Sequence, residues 1–172
     1  SYFGIVDLAG LPKDRYYFYR SRWNTGSSTL HVLPHWTWPG MEGKNIPVMC
    51  YTSYPEAELF VNGKSQGRVK KDPTKLFSAN RIKWMDVRYE PGELRVVAYD
   101  AHGKQAAEKV VHTAGAPARL ELVPDRQQIK ADGDDISFVT VRVLDADGNE
   151  CPDADQELSF MVKGAKYQAA CN

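Results

Sequence analysis

The sequence predicts an all-β protein of antiparallel sandwich units, with one short helix near its start. Three observations carry this expectation. From Leu30 onward apolar and polar residues alternate with a period of two, the spacing that turns one face of a strand inward. Gly, Pro, Asn and Asp interrupt these runs at short intervals, as the connections between hairpin-linked strands do. Helical spacing is confined to the residues before Leu30, which leaves no helices to cover the faces of a parallel sheet.

Residues 1–28 stand apart from the rest. Gly4-Ile5-Val6-Asp7-Leu8 is short and apolar, and Gly10-Leu11-Pro12-Lys13-Asp14 leads into an aromatic run from Arg15 to Trp23. The pattern predicts a loop and then a helix over 12–23, with Pro12 in the first turn, where its missing N–H is not needed. Tyr16, Tyr19 and Trp23 follow i, i+3, i+7 and share one face. Such a stripe needs a large partner surface, and no later segment offers a helical one. Strands are expected near 29–33, 46–52, 56–62, 65–71, 81–88, 93–100 and 105–113. The sharpest turn signal is Asn62-Gly63, because both central residues of a tight hairpin turn need positive φ. Glu90-Pro91-Gly92-Glu93 and Asp100-Ala101-His102-Gly103-Lys104 mark two further turns.

Ala114-Gly115-Ala116-Pro117-Ala118 is small, uncharged and contains proline, and it is the best linker candidate. Beyond it come strands near Arg119–Pro124, Ile136–Asp145 and Glu157–Val162. The expected organisation is therefore 1–28, a sandwich over 29–114, and a partial second sandwich over 115–172. A complete immunoglobulin-like domain takes about 100 residues, so the second unit is expected to be truncated. An apolar sheet face and unpaired edges would then favour self-association.

Composition excludes several function classes. Lys plus Arg and Asp plus Glu number 22 each among 172 residues, so no net field gathers nucleic acid or an anionic membrane. No stretch approaches the roughly 20 apolar residues of a membrane span. Ser1-Tyr2-Phe3 runs without a Met into patterned sequence, which implies a piece of something longer. Cys50, Cys151 and Cys171 are odd in number and far apart, fitting free thiols better than a zinc site or a disulfide set. His31, His35, His102 and His112 form no metal-ligand spacing, and no cofactor motif is present.

Four segments taken together carry a resemblance. Asp7-Leu8-Ala9-Gly10-Leu11-Pro12-Lys13-Asp14-Arg15-Tyr16-Tyr17 resembles the final loop and helix of the catalytic TIM barrel of glycoside hydrolase family 2, the β-galactosidase and β-glucuronidase family. Leu30-His31-Val32-Leu33-Pro34-His35-Trp36-Thr37-Trp38-Pro39-Gly40 is similar to that family's junction into its next β-sandwich. Glu56-Ala57-Glu58-Leu59-Phe60-Val61-Asn62-Gly63-Lys64-Ser65 resembles a hairpin found there, and Ala118 through Gly148 resembles the immunoglobulin-like domain that follows. The resemblance implies the non-catalytic C-terminal region of a retaining β-galactosidase-type enzyme, whose main partner is the catalytic barrel. It also implies a bacterial, periplasmic or extracellular setting.

No catalytic residue carries over. The family uses two glutamates about 5 Å apart on a rigid barrel, and a barrel needs at least about 200 residues. Asn149-Glu150 falls in a turn of the second unit. Glu42, Glu56, Glu58 and Glu93 are the carboxylates open to nomination, but Glu56 and Glu58 alternate with Ala57 and Leu59 and so should face solvent. The aromatic cluster Trp23, His35, Trp36 and Trp38 keeps two readings open: an outer sugar subsite formed by stacking, or a seal between barrel and sandwich. Trp36 and Trp38 would share a face on an extended segment, and Trp84 reads as core. Two further function classes stay open, a carbohydrate-binding module built on Trp36, Trp38 or Trp84, and a cell-surface interaction module.

Overall fold

The computed structural model describes residues 3–170. Asp7 organises the first loop, its Oδ1 accepting from the N–H groups of Ala9 (2.9 Å) and Leu11 (2.8 Å). Val6 forms an antiparallel bridge with Pro12. Helix α1 then runs Asp14–Trp23. Pro12 thus lies before the helix rather than in its first turn, because its backbone is committed to the bridge with Val6. Asp14 in the first turn and Arg20 and Arg22 in the last complement the helix dipole.

Among the described residues nine strands follow: β1 Leu30–Leu33, β2 Val48–Thr52, β3 Glu56–Val61, β4 Lys64–Lys70, β5 Ile82–Trp84, β6 Glu93–Tyr99, β7 Gln105–His112, β8 Arg119–Pro124 and β9 Val139–Leu144. They form a three-stranded sheet β1-β2-β5, a four-stranded sheet β4-β3-β6-β7, and a two-stranded sheet β8-β9. Every pairing among these strands is antiparallel. The first two sheets share one core, so they make a sandwich. Val32, Val48, Cys50, Ile82 and Trp84 come from one layer, and Ala57, Leu59, Val61, Leu94, Val96 and Ala98 from the other. The period of two explains the split, since β3 buries Ala57, Leu59 and Val61 while Glu58 and Phe60 take the outer face. Strand β5 is shorter than its pattern. Residues beyond Trp84 instead pair irregularly with the 43–46 segment, as in the Ile46 N–H bond to Val87 O at 2.8 Å.

The β3–β4 hairpin turns at Asn62 (φ 48°) and Gly63 (φ 79°), as the Asn-Gly pair predicts. Asn62 also fastens this turn to the next one: its Oδ1 accepts from Glu93 N–H at 2.8 Å and its Nδ2 donates to Pro91 O at 3.1 Å. That closeness requires glycine at position 92. Its φ is 131°, and a Cβ there would sit 2.1 Å from Asn62 Oδ1. Gly92→Ala is therefore expected to destabilise the sandwich by about 1–3 kcal/mol, seen as a drop in Tm of several degrees. An unchanged Tm would show that the two turns are not joined in this way.

The segment expected to form a strand over Glu157–Val162 does not do so. Phe160, Met161 and Val162 are exposed, and the segment pairs with neither β8 nor β9. A strand persists where a neighbour satisfies its backbone and a second layer takes its apolar side chains, and among the described residues it meets neither condition. Strand β9 likewise begins at Val139, later than the pattern implied.

The 114–118 connection is tied at both ends. Ala114 N–H donates to Thr37 Oγ1 (2.9 Å), Gly115 N–H to Asp145 Oδ2 (2.8 Å) and Ala118 N–H to Leu144 O (2.8 Å).

Candidate functional site

Helix α1 sits against β1 and β2 through residues outside the expected stripe. Tyr17 stacks on His31 with ring centroids 3.9 Å apart, and Phe18 meets Tyr51 edge-on at 5.3 Å. His31 Nε2 lies 2.7 Å from Asp14 Oδ1. Tyr19 and Trp23 instead pair with each other at 4.7 Å, and Trp23 is 75% exposed. The helix thus holds the sandwich with Tyr17 and Phe18 and turns Trp23 outward.

The 34–38 segment is not a strand, so strand alternation does not set the two rings' positions; Trp36 lies within the core and Trp38 packs partly against it. Trp36 is fully buried, meets Tyr89 edge-on at 5.1 Å, and donates its Nε1–H to Glu90 O at 3.1 Å. Its ring is an interior plug of this sandwich. Trp38 is half-buried, its ring lying over His35 with centroids 4.3 Å apart. Its Nε1–H donates to His35 O at 2.9 Å. Trp84 is buried and donates to Gly67 O at 2.9 Å. Of the three rings nominated for a sugar platform, Trp36 and Trp84 are thus enclosed and Trp38 is half-buried. Of the four tryptophans Trp23 is the exposed one, and Trp38 forms a half-buried pair with His35.

The nominated carboxylates are occupied. Glu56 and Glu58 do share the outer face of β3, but neighbouring strands roof that face rather than leaving it to solvent. Arg68 donates to Glu56 at 2.8 Å and lies 3.5 Å over the Tyr99 ring. Glu58 accepts from Ser65 Oγ at 2.6 Å and from Tyr99 OH at 3.1 Å. The Arg68 hydrogen bond holds the Glu56 carboxyl below the usual carboxylate range, the opposite of what a general acid needs. Glu93 pairs with Arg95 at 3.5 Å, and Glu42 accepts from Gly40 N–H at 3.3 Å. Burial pushes the Cys50 thiol up to about 12 and also raises that of Cys151, which disfavours the thiolate at both. Cys171 lies outside the described residues. Among the described residues no three His, Cys, Asp or Glu side chains are placed to hold a metal ion, and no helix is long and apolar enough to cross a membrane.

Sequence reasoning missed a cleft of about 650 Å³ between the sandwich and the β8–β9 hairpin. Lys109 of β7 lines one side, and Arg119, Glu121 and Arg142 of the hairpin line the other. The register pairs Arg119 with Leu144 and Glu121 with Arg142, so these side chains share one face. The other face carries Leu120, Leu122, Val139, Val141 and Val143. The charged alternation at Arg119 and Glu121 was visible, but nothing local told which face would turn toward the sandwich.

Comparison with known proteins follows this architecture. Residues 43–107 match the family described as a domain of unknown function (DUF4982), and residues 120–172 match glycoside hydrolase family 2 C-terminal domain 5. The chain is 53% identical over 171 residues to the β-galactosidase BoGH2A of Bacteroides ovatus, covering 98% of this chain but 19% of that protein. A β-glycosidase structure from Bacteroides vulgatus superposes with a TM-score of 0.76 at 36% identity, over 87% of this chain and 18% of that one. A family 2 glycosyl hydrolase structure from Bacteroides cellulosilyticus gives 0.75 at 27%, over 86% and 22%. The chain spans about a fifth of the length of these relatives. With nearly all of its residues matched to a fraction of each enzyme, and a mostly β fold of antiparallel sheets, the chain belongs to the C-terminal region of glycoside hydrolase family 2.

Proposed function

We propose that this chain is the accessory, non-catalytic part of a retaining β-galactosidase-type glycoside hydrolase, and that it braces that enzyme's catalytic barrel. Trp23 carries this reading. A 75% exposed indole on a helix already anchored from its other side is a large apolar area with an N–H handle and no partner surface in the sandwich. In this reading residues 1–28 form the barrel-facing tail, 29–114 the brace, and 115–172 part of an immunoglobulin-like spacer. The His35–Trp38 pair completes the barrel-facing surface or the rim of an outer sugar subsite. The longer enzyme works in the periplasm or outside the cell, and the outer edge of β8 gives the isolated chain a route to self-association.

Two measurements test the proposal. The purified chain is expected to turn over no member of a panel of nitrophenyl glycosides, and turnover that survived repurification would overturn the accessory reading. Trp23→Ser is expected to shift the stability of the isolated chain by no more than about 0.5 kcal/mol, as at other exposed positions. In the full-length enzyme the same change should clearly lower the Tm of the barrel. Equal, small effects in both settings would remove Trp23 from any interface.

A further inference from the structure

We infer that the cleft between the sandwich and the β8–β9 hairpin is a binding site for an acidic saccharide, one that carries a carboxylate beside its hydroxyl groups. The inference goes beyond the bracing role, which would stand without it.

The first argument is the orientation of the hairpin. A two-stranded sheet set beside a sandwich would ordinarily turn its apolar face toward that neighbour and its charges toward water. Here the cleft is lined by Arg119, Glu121 and Arg142, while Leu120 and Leu122 on the opposite face are 49% and 61% exposed. The gap is therefore lined by charged groups instead of being closed by apolar packing. Its volume, about 650 Å³, lies within the range of small-molecule sites.

The second argument is rigidity. The connection between the two walls is held by Thr37 on the sandwich side and by Asp145 on the hairpin side, through the N–H groups of Ala114 (2.9 Å) and Gly115 (2.8 Å). The connection is thus tethered to both walls, which limits their relative freedom and reduces the ordering cost of binding.

The third argument is the balance of lining groups. Among the described residues neither Arg119 nor Lys109 has an ion-pair partner, and Arg142 has a loose one, Glu121 at 3.6 Å. Three cations from three strands thus face two carboxylates, Glu121 and Glu150. An unpaired guanidinium suits bidentate capture of a carboxylate. The two carboxylates are acceptors that an inorganic anion would not use but that sugar hydroxyls would. Val110, Val111, Leu144 and Pro152 supply apolar patches for the C–H face of a ring.

The test uses digalacturonate and galabiose, which differ in carrying carboxylates in place of hydroxymethyl groups. Each is titrated into the intact chain by calorimetry, with amide chemical shifts recorded in parallel. Digalacturonate is expected to bind at least about tenfold more tightly than galabiose, to weaken as salt is raised, and to shift the amides of Gly148 and Asn149. Arg119→Ala should reduce that binding by about tenfold or more. Lys109→Ala, on the sandwich side, should reduce it independently, and serves if the first variant disturbs the hairpin. Equal binding of the two sugars, no binding of either, or binding indifferent to both substitutions would each overturn the inference.

Discussion

Trp36→Ala is expected to destabilise the chain by about 3–5 kcal/mol, a large part of the stability of an ordinary domain. The indole is fully buried, and its removal empties the place where the 34–38 segment meets Tyr89 and the Glu90 turn. Backbone groups around it depend on that position: Thr113 Oγ1 donates to Trp36 O at 2.5 Å, and Gly92 N–H donates to Thr113 Oγ1 at 3.0 Å. A cavity here loosens the segment that follows β1, the turn before β6 and the residue after β7 together. Urea unfolding followed by far-UV circular dichroism reads the effect. Trp36→Phe separates its causes, since it keeps most of the ring but strands the Glu90 carbonyl, for a smaller loss of about 1–3 kcal/mol. If Trp36→Ala cost no more than Trp23→Ser, the two rings would have been assigned to the wrong surfaces.

That contrast marks what could be read before folding. Strand positions were legible because the period of two is local, and Ala57, Leu59 and Val61 announce an inner face without reference to any other strand. Asn62-Gly63 was legible because positive φ at two successive residues restricts composition at those residues themselves. Trp36 was not, since its burial depends on Tyr89 and Glu90, more than fifty residues away in sequence. Glu56 and Glu58 were assigned to the correct face, but the roof over them is Arg68 from β4 and Tyr99 from β6. Cross-strand neighbours of that kind follow from strand order, which alternation leaves open. The helix shows the same limit. Its aromatic content was plain, yet the docking residues are Tyr17 and Phe18 because His31 and Tyr51 lie on that side. The cleft is the extreme case, since each of its walls is ordinary alone and the site exists only through their juxtaposition.

Asp145 controls that juxtaposition, and Asp145→Asn is expected to release it. The carboxylate is buried, with Oδ1 accepting from the N–H groups of Asp147 (3.0 Å) and Asn149 (2.8 Å). Its Oδ2 accepts from Gly115 N–H (2.8 Å) and Asn149 Nδ2 (3.0 Å). These donors, the Gly115 N–H first among them, lower the carboxyl from its ordinary 3.8 to about 2. The folded value lies below the unfolded one, so the clamp contributes fully above about pH 3.8 and weakens as the pH falls toward 2. Replacing one oxygen with an amide nitrogen confronts the remaining donors with a donor, and Gly115 is the exposed party in that exchange. Its amide is expected to lose on the order of tenfold in hydrogen-exchange protection at neutral pH, while β3 and β6 amides in the sandwich core stay unchanged. In the unaltered protein Gly115 protection, corrected for intrinsic exchange, should hold from neutral pH to about 4 and then decline. The Asn variant should show no such decline. Protection at Gly115 that survived the substitution would mean that the sandwich and the hairpin are held together by something other than this carboxylate, and the pre-set geometry of the cleft would lose its physical basis.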